Sequence, residues 1–299
     1  MKLDFIIIGG QKCGSTYIHK TIRHHPQVDM IDEECPHLES PDFENGGLEE
    51  LKDRLGRLDQ SKVIGIKRPN YLAKPEVPER IYAIDPSIKI IVILRNPLER
   101  FKSAYFHQMN GGTGPVVSLN NGAKGILNNK YRENYPRSSE VLEFGYYGKY
   151  LEKYMALFPN NLLVLTFDEL KKDKISLIKK CYQFLNLDDT FIPHEILENR
   201  PQKVNYSLQS TKLLALRNRF RYSYNSDKTR IFKKQQSILD KFCAKGIEKM
   251  NQIIFNSIFR NNKKPDFSPS IKEELLTRYK PDIEILENMI DRDLTSWKV

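Results

Sequence analysis

The sequence predicts an α/β protein of three layers, in which a central, mostly parallel sheet lies between two layers of helices. Short apolar runs alternate with segments of helical spacing, which is typical of βαβ units. The run Ile88–Leu94 is rich in β-branched residues, which indicates a strand buried on both faces. In addition, the turn Gly9–Thr16 joins an apolar run to a helical pattern in the way that phosphate-binding turns do.

Size and composition favour one globular domain, which we expect to cover residues 1–299. The chain has 39% apolar residues and a net charge of +10, which favours a nucleic acid, a membrane surface or a small polyanion as partner. It has no run of eighteen apolar residues, and its first residues make a poor secretory signal. Its four cysteines lack C-x-x-C spacing. We therefore expect a cytoplasmic protein without a transmembrane helix or a bound metal.

The individual elements follow from the same patterns. Apolar runs predict four strands at Leu3–Ile8, Val63–Lys67, Ile88–Leu94 and Leu162–Phe167. Helical spacing predicts helices at Ser15–His25, Leu48–Leu58, Pro78–Ile84, Leu98–Met109, Glu140–Phe158, Leu177–Leu185, Leu208–Phe220, Gln235–Phe259, Ile271–Tyr279 and Ile283–Asp291. Ser15 or Thr16 is expected to cap the first of these helices. Glycine and asparagine in Gly111–Asn129 predict a long loop over the site.

The first turn has the pattern Gly9-x-x-x-x-Gly14-Ser15-Thr16, which is close to the nucleotide-triphosphate loop G-x-x-x-x-G-K-[ST]. Ser15 stands where that loop requires lysine, and the lysine of this chain comes earlier, at Lys12. Backbone N–H groups at the start of the following helix can hold a phosphate. The alternative is a tight turn without a ligand. The anion site would consist of Gln11, Lys12, Cys13, Gly14, Ser15, Thr16 and Tyr17.

A second anion-binding group follows the strongest predicted strand. Arg95 lies at the carboxyl end of that strand, where open α/β sheets bind their ligands. Ser103 is placed about two turns into the next helix, so that the two side chains could hold a second phosphate. The alternative is an ordinary surface arginine. Together with the first turn, this pair indicates a ligand with two separate phosphate groups.

These motifs resemble those of the sulfotransferases that use 3′-phosphoadenosine 5′-phosphosulfate (PAPS), in particular the carbohydrate and heparan branch and its soluble bacterial members. Residues 9–16 are similar to the 5′-phosphosulfate loop of that family, and residues 91–103 to its 3′-phosphate motif, LR-(D/N)-P-x-x-R-x-x-S. The resemblance extends over nearly the whole chain. Further similar segments are His25-Pro26 with Glu34 (HP…KE), residues 65–71 (EKSPxYL), residues 163–170 with 184–187, and residues 293–297 (DLSxW).

The resemblance implies a three-layer sulfotransferase fold and roles for individual residues. Lys12 would stabilise the oxygen of the departing nucleotide, and Lys67, which matches the lysine of the EKSP segment, would add positive charge near the sulfuryl group. Glu34 matches the catalytic glutamate, which takes the proton of the acceptor. The family's KExHFF context is changed here, so Glu33 could be the aligned residue, and His37 could act as the base instead.

Two charged stretches bear on the substrate and partners. The acidic stretch Asp29–Glu50 contains no lysine or arginine; it is a solvated loop or it selects a cationic acceptor. The basic stretch Arg200–Lys234 contains Tyr206, Tyr222 and Tyr224, and it closes over the 3′-phosphate or is a solvated helix. A third reading, nucleic-acid binding, lacks a recognised module.

The resemblance thus implies sulfuryl transfer from PAPS, with 3′-phosphoadenosine 5′-phosphate (PAP) as product and no metal. The acceptor would be a hydroxyl or amine of a small molecule or of a carbohydrate, and a cationic small molecule if the acidic stretch selects it. No nucleic acid or membrane is expected as partner. Two alternatives stay open. One is a phosphate-loop nucleotide kinase, which Ser15 and the lack of an evident strand ending in a magnesium-binding aspartate oppose. The other is a nucleic-acid-binding protein that uses the basic stretch.

Overall fold

Five parallel strands form one sheet in the computed structural model, which describes residues 1–194, 206–225, 231–258 and 264–299. The strand order is β2-β3-β1-β4-β5, and all four pairings are parallel. The predicted mostly parallel α/β sheet is therefore confirmed. The strands are β1 (Phe5–Gly9), β2 (Val28–Met30), β3 (Val63–Lys67), β4 (Lys89–Leu94) and β5 (Leu162–Thr166).

Helices connect these strands and continue beyond the last of them. Those in the described parts of the chain are α1 (Ser15–Arg23), α2 (Leu48–Gly56), α3 (Val77–Ile84), α4 (Pro97–Gly111), α5 (Leu119–Leu127), α6 (Glu140–Glu143), α7 (Tyr147–Leu157), α8 (Phe167–Lys172), α9 (Lys174–Leu185), α10 (Leu208–Arg221), α11 (Ile238–Ile258) and α12 (Pro269–Ile290). None of these helices combines the length and the apolar character needed to cross a bilayer.

The chain divides into two compact units. The first consists of residues 1–100, 146–200 and 279–299, and it contains the five-stranded sheet. The second consists of residues 101–145 and 201–278, and it contains a short antiparallel hairpin of β6 (Tyr222–Tyr224) and β7 (Ile231–Lys233). The assignment of residues 1–299 to a single domain stays a prediction.

The order of the strands determines where the site lies. Strand β1 is in the middle of the sheet, with β3 on one side and β4 on the other, and all of its residues are buried. After β1 the chain forms β2 and β3 on one side of β1 and then crosses to β4 on the other side. The strand order therefore reverses between β1 and β4. Ligands of open α/β sheets bind at such a switch point, outside the carboxyl ends of the strands. At these ends, Lys67 is the last residue of β3, Arg95 directly follows β4, and Lys12 lies on the loop after β1.

The prediction of one long loop at residues 111–129 was wrong, because the helix α5 occupies nine of these residues, Leu119–Leu127. Ser118 caps this helix by accepting a hydrogen bond from the backbone N–H of Asn121. Its glycines are needed for packing rather than for a turn: a Cβ atom on Gly122 would lie 2.3 Å from the ring of Tyr105. A glycine that makes room for an aromatic ring is not distinguishable from a loop glycine by composition alone.

Three of the predicted helices differ in their limits from the helices of the structure. The helix expected at residues 140–158 is interrupted at Phe144–Tyr146, and Asp282 accepts hydrogen bonds from the first N–H groups of α7. The two helices expected after residue 270 are one helix, α12, which continues through Pro281. Burial of Tyr279, Ile283 and Leu286 on either side of the proline stabilises the continuous helix despite the missing N–H. The short elements β2, β6, β7 and α8 were not predicted.

The turn after β1 requires glycine at position 9. Gly9 has a φ angle of 142°, and a Cβ atom there would lie 2.5 Å from the carbonyl oxygen of Pro69. We expect Gly9→Ala to lower the free energy of unfolding by about 2–3 kcal/mol, because it adds backbone strain and a steric clash. Urea denaturation measures this effect. The control is Gly56→Ala, where nothing lies within 4 Å of the added methyl group; equal stability of both variants would contradict the expectation.

Candidate active site

The N-terminus of α1 is open to an anion. Gly14 is the N-cap residue, with a φ angle of 108°, and no side chain caps the helix. The expectation that Ser15 or Thr16 caps it was therefore wrong, since both already belong to the first turn. The N–H group of Tyr17 donates to the carbonyl oxygen of Gly14 at 2.9 Å. The N–H groups of Ser15 and Thr16 lie in the first turn, where the helix supplies no acceptor, and they suit an anionic ligand.

Lys12 lies on the loop between β1 and α1. Its backbone is in the left-handed region, with a φ angle of 65°, and its side chain is half-buried. Burial and the neighbouring charge of Arg95 lower the pKa of Lys12, whereas the charge of Glu34 acts in the opposite direction. The lysine is thus a partly desolvated cation within the field of both residues. A cation in this setting interacts more strongly with an anionic oxygen than a solvated one does.

The side chains of Gln11 and Cys13 face the protein. The Gln11 amide donates to Oδ1 of Asn70 at 3.0 Å. The Cys13 sulfur is buried 3.4 Å from the hydroxyl of Tyr147, which donates to the carbonyl oxygen of Arg95 at 2.9 Å. Burial raises the pKa of the Cys13 thiol, so it stays protonated. These contacts connect the loop to the end of β4, and they leave Gln11 and Cys13 to act in ligand binding through their backbone groups.

Arg95 is held at the end of β4 with donor capacity to spare. Its guanidinium group lies 4.6 Å from the ring centroid of Phe167, and it donates to the carbonyl oxygen of Lys12 and to Glu99. Its Nε is buried and has no hydrogen-bond partner in the described parts of the chain. A buried donor without a partner is costly, and a phosphate oxygen would satisfy it. Ser103 is half-buried on α4 and belongs to the second unit, so its role beside Arg95 stays a prediction.

The end of β3 brings three of the predicted residues together. The buried Lys67 ammonium group donates to Oγ1 of Thr16 at 3.3 Å and lies 3.2 Å from Oε1 of Glu34. Arg68 donates to the other carboxylate oxygen of Glu34 at 3.0 Å. Thr16 is exposed, and the side chain of Glu34 is 42% exposed, so this cluster is accessible to a ligand. It combines a cation, a carboxylate and a hydroxyl group at the start of α1.

The two alternative bases lie elsewhere. Glu33 forms an ion pair with Arg54 of α2 at 2.7 Å, and its side chain is 72% exposed. His37 is buried, with its Nε2 atom 3.3 Å from Oε1 of Glu50, and its Nδ1 atom has no hydrogen-bond partner in the part of the chain that the structure describes. Neither residue contacts the cluster of Thr16 and Lys67. The geometry therefore favours Glu34 over both of them.

The carboxylates of the acidic stretch are mostly paired with cations. Arg68, for example, binds Glu39 through two hydrogen bonds of 2.5 and 2.7 Å. Paired carboxylates offer little attraction to a cationic acceptor, so the structure favours the role of a folded, ion-paired segment. The further pairs are Asp32 with Arg23, Glu33 with Arg54, Glu44 with Arg80 and Glu49 with Lys52.

The structure describes part of the basic stretch. Arg217 and Arg221 of α10 form ion pairs with Glu248 of α11, within the second unit. These two arginines therefore stabilise helix packing. Closure of a residue of this stretch over the 3′-phosphate stays a prediction. Four of the predicted basic residues lie outside the described residues, namely Arg200, Lys203, Lys228 and Arg230.

Several residues of the site were not foreseen. The sequence patterns do not single out Arg68, which lies in the segment after β3, or Glu39, which is one of many acidic residues in its stretch. Tyr147 and Phe167, which hold Cys13 and Arg95, come from parts of the chain far away in sequence. The proline that follows Lys67-Arg68 was the one available signal, because it indicates a fixed turn at the end of β3.

Comparison with known proteins identifies the family. The model of the sulfotransferase domain matches residues 2–254. The chain belongs to the sulfotransferase family. Mouse heparan sulfate glucosamine 3-O-sulfotransferase 3A1 is 26% identical over 187 residues, which are 61% of this chain and 45% of that protein. Human heparan sulfate glucosamine 3-O-sulfotransferase 5 is 26% identical over 189 residues, 61% of this chain and 53% of the relative.

The sulfotransferase chain spans about half the length of the curated relatives that it matches. A solved structure, the sulfotransferase from Alicyclobacillus acidocaldarius, superposes with a TM-score of 0.68 at 20% identity and covers all of both chains. This likeness supports the fold. The predicted resemblance to sulfotransferases and the predicted fold class are thereby confirmed, and the family match favours a sulfotransferase over a nucleotide kinase.

Proposed function

We propose that this chain transfers a sulfuryl group from PAPS to a hydroxyl or amine group of a carbohydrate or small-molecule acceptor. One observation carries the proposal. The open N-terminus of α1 lies where three adjacent strands end: Lys67 is the last residue of β3, Arg95 directly follows β4, and Lys12 lies on the loop after β1. Three cations around free N–H groups suit a donor that carries a phosphosulfate and a second phosphate.

The donor would be held at two places. The N–H groups at the start of α1, with the hydroxyl of Thr16 and the ammonium group of Lys12, suit the 5′-phosphosulfate. Arg95 suits the 3′-phosphate, because its buried Nε has no partner among the described residues and its guanidinium group is fixed against Phe167. Ser103 would assist it, as the resemblance implies. The residues present therefore fit PAPS.

The reaction is a displacement at sulfur. A new bond forms between the acceptor oxygen or nitrogen and sulfur while the bond from sulfur to the leaving phosphate oxygen breaks, and the acceptor proton goes to Glu34. Negative charge grows on the leaving oxygen, where Lys12 stabilises it. Lys67 lies between Thr16 and Glu34, so its charge would act on the sulfuryl oxygens and would keep Glu34 in place. In-line alignment of acceptor and leaving group contributes further to the rate.

For the acceptor, the relatives favour a carbohydrate. The two that are described above are named for glucosamine 3-O-sulfation of heparan sulfate. An amine acceptor attracted by the acidic stretch has less support, because most of its carboxylates are paired. We therefore propose a hydroxyl group of an amino-sugar-containing carbohydrate as the first acceptor to examine.

A transfer assay with labelled PAPS tests this function. We expect label to pass to carbohydrates in a panel that also contains neutral sugars, small alcohols and amines, with equal rates in magnesium and in a chelator. Failure to transfer label to any acceptor would contradict the proposal. Magnesium-dependent transfer of the γ-phosphate of ATP would favour the kinase instead. Steeply salt-dependent RNA or DNA binding without a response to PAPS would favour the nucleic-acid-binding alternative.

A further inference from the structure

A chain of ionic contacts connects the protein interior to Glu34. It begins at Glu39, whose side chain is only 9% exposed. Arg68 binds the two oxygens of Glu39 through its Nε and Nη2 atoms, at 2.5 and 2.7 Å. Its remaining nitrogen, Nη1, donates to Oε2 of Glu34 at 3.0 Å. One guanidinium group therefore joins a buried carboxylate to the carboxylate that is placed to act as base.

The geometry of this contact makes Arg68 a rigid support. A guanidinium group that binds a carboxylate through two parallel hydrogen bonds is fixed in both distance and plane. The side chain of Arg68 is 19% exposed, and Glu39 is more buried still, so this pair is shielded from water. Glu34, by contrast, is 42% exposed and lies in an irregular segment between β2 and α2. Its orientation therefore depends on the side chains that bind it.

Arg68 is also a departure from the motif that this segment resembles. The family segment reads EKSP, and the corresponding residues here are Ile66, Lys67, Arg68 and Pro69. Serine in place of Arg68 could not reach two carboxylates at once. The link between Glu34 and Glu39 is thus a property of this chain's own residues.

We propose that Arg68 is a positioning residue that holds Glu34 beside Lys67 and Thr16 for proton abstraction, and that buried Glu39 orients Arg68. This inference rests on the proposed function, because it assigns a support to the base of that reaction. Arg68 itself touches no reacting atom. It acts through the orientation of Glu34 and through its charge.

The contacts of Glu34 determine which readout separates positioning from stability. The charged groups that face Glu34 are Lys67 and Arg68, in direct contact, and Lys12 of the neighbouring loop. Without Arg68, the carboxylate of Glu34 keeps its contact with Lys67 but loses the contact that fixes its second oxygen. Proton abstraction, and with it kcat, should then fall while the binding of the donor nucleotide does not change. A purely structural ion pair would not produce this difference between kcat and the dissociation constant of PAP.

The test variant is the double substitution Glu39→Gln and Arg68→Gln, which removes both charges of the buried pair and leaves no unpaired charge behind. We expect kcat to fall about tenfold, and the dissociation constant of PAP and the KM for PAPS to stay unchanged. The matched control is Arg80→Gln. Arg80 is as buried as Arg68, at 17% exposed, and it binds Glu44 of the same acidic stretch without touching Glu34.

Arg68→Lys is the second variant, to be used if the double variant does not fold. It keeps the charge and loses the double contact, so kcat should fall several-fold while the dissociation constant of PAP stays unchanged. In a Glu34→Gln background, neither change should lower the residual rate further, because a positioning residue acts only through its target.

Three results would overturn the inference while leaving the proposed function intact. They are a loss of PAP binding as large as the loss of kcat in the variants, a loss of rate equal to that of Arg80→Gln, and a further loss in the Glu34→Gln background. An inactive wild-type protein that transfers no label from PAPS is a different outcome. It would contradict the proposed function itself, and the role of Arg68 with it.

Discussion

Replacement of Lys12 by alanine is expected to lower kcat for sulfuryl transfer by about 10²–10³-fold. The reason is that negative charge develops on the leaving oxygen, and Lys12 is a partly desolvated cation on the loop that would hold the phosphosulfate. An interaction that is stronger in the transition state than in the ground state changes kcat more than substrate binding. The KM for PAPS should therefore change much less than kcat.

Initial rates at saturating PAPS, with labelled donor and the best acceptor, measure this effect. The control is Lys20→Ala, which removes an exposed lysine from α1, the helix that follows the same loop. Both variants should unfold near the wild-type temperature, since neither lysine forms an ion pair in the described structure. A Lys12→Ala variant with kcat close to that of Lys20→Ala would show that the leaving oxygen is stabilised by another group.

Replacement of Glu34 by glutamine is expected to lower kcat by about 10²–10⁴-fold, which is the range for loss of a general base. Glutamine has the same shape, but its one amide oxygen can replace only the carboxylate oxygen that faces Lys67 or the one that faces Arg68. The substitution removes the proton acceptor and one of these two contacts. PAP should bind to this variant about as well as to the wild type.

The control for this substitution is the adjacent residue. Glu33→Gln changes a carboxylate that is bound to Arg54, on the α2 side of the segment, and it should retain activity near the wild-type level. A large loss of activity in Glu33→Gln with an active Glu34→Gln variant would reverse the assignment of the base.

Much of the sheet could be predicted from local patterns. Strand β3 was found with its limits correct, and β1 and β4 within two residues, because strands that are buried on both faces are continuous apolar runs. Strand β2 was missed since it has three residues and lies at the edge of the sheet, at the start of an acidic stretch. Its pairing with β3 is a tertiary interaction, which a local sequence of three residues does not predict.

The predicted site was most accurate where a motif fixes the spacing. The pattern around Gly9 and Gly14 placed Lys12 and Thr16 at the start of α1, and the segment after residue 63 placed Lys67 beside Glu34. Motif spacing works here because each motif is one strand end with its following turn. The caps and supports were less predictable, since they depend on contacts between distant segments.

The link through Arg68 illustrates why. The path of residues 31–39 brings Glu34 and Glu39 to opposite sides of one guanidinium group, and no regular element determines that path. The same is true of the choice between Glu33 and Glu34, which point to α2 and to the end of β3 respectively. Glu33 and Glu34 are neighbours of the same residue type whose side chains contact different partners, so only the three-dimensional structure distinguishes them.

Isothermal titration calorimetry with PAP tests the central claim most directly, because it examines the two-phosphate site without any assumption about the acceptor. We expect wild-type protein to bind one PAP, and Arg95→Ala to bind it about ten- to a hundredfold more weakly, as loss of hydrogen bonds to a charged group requires. Arg54→Ala, which removes the partner of Glu33, should bind PAP like the wild type. Absence of PAP binding to the wild-type protein would contradict the account.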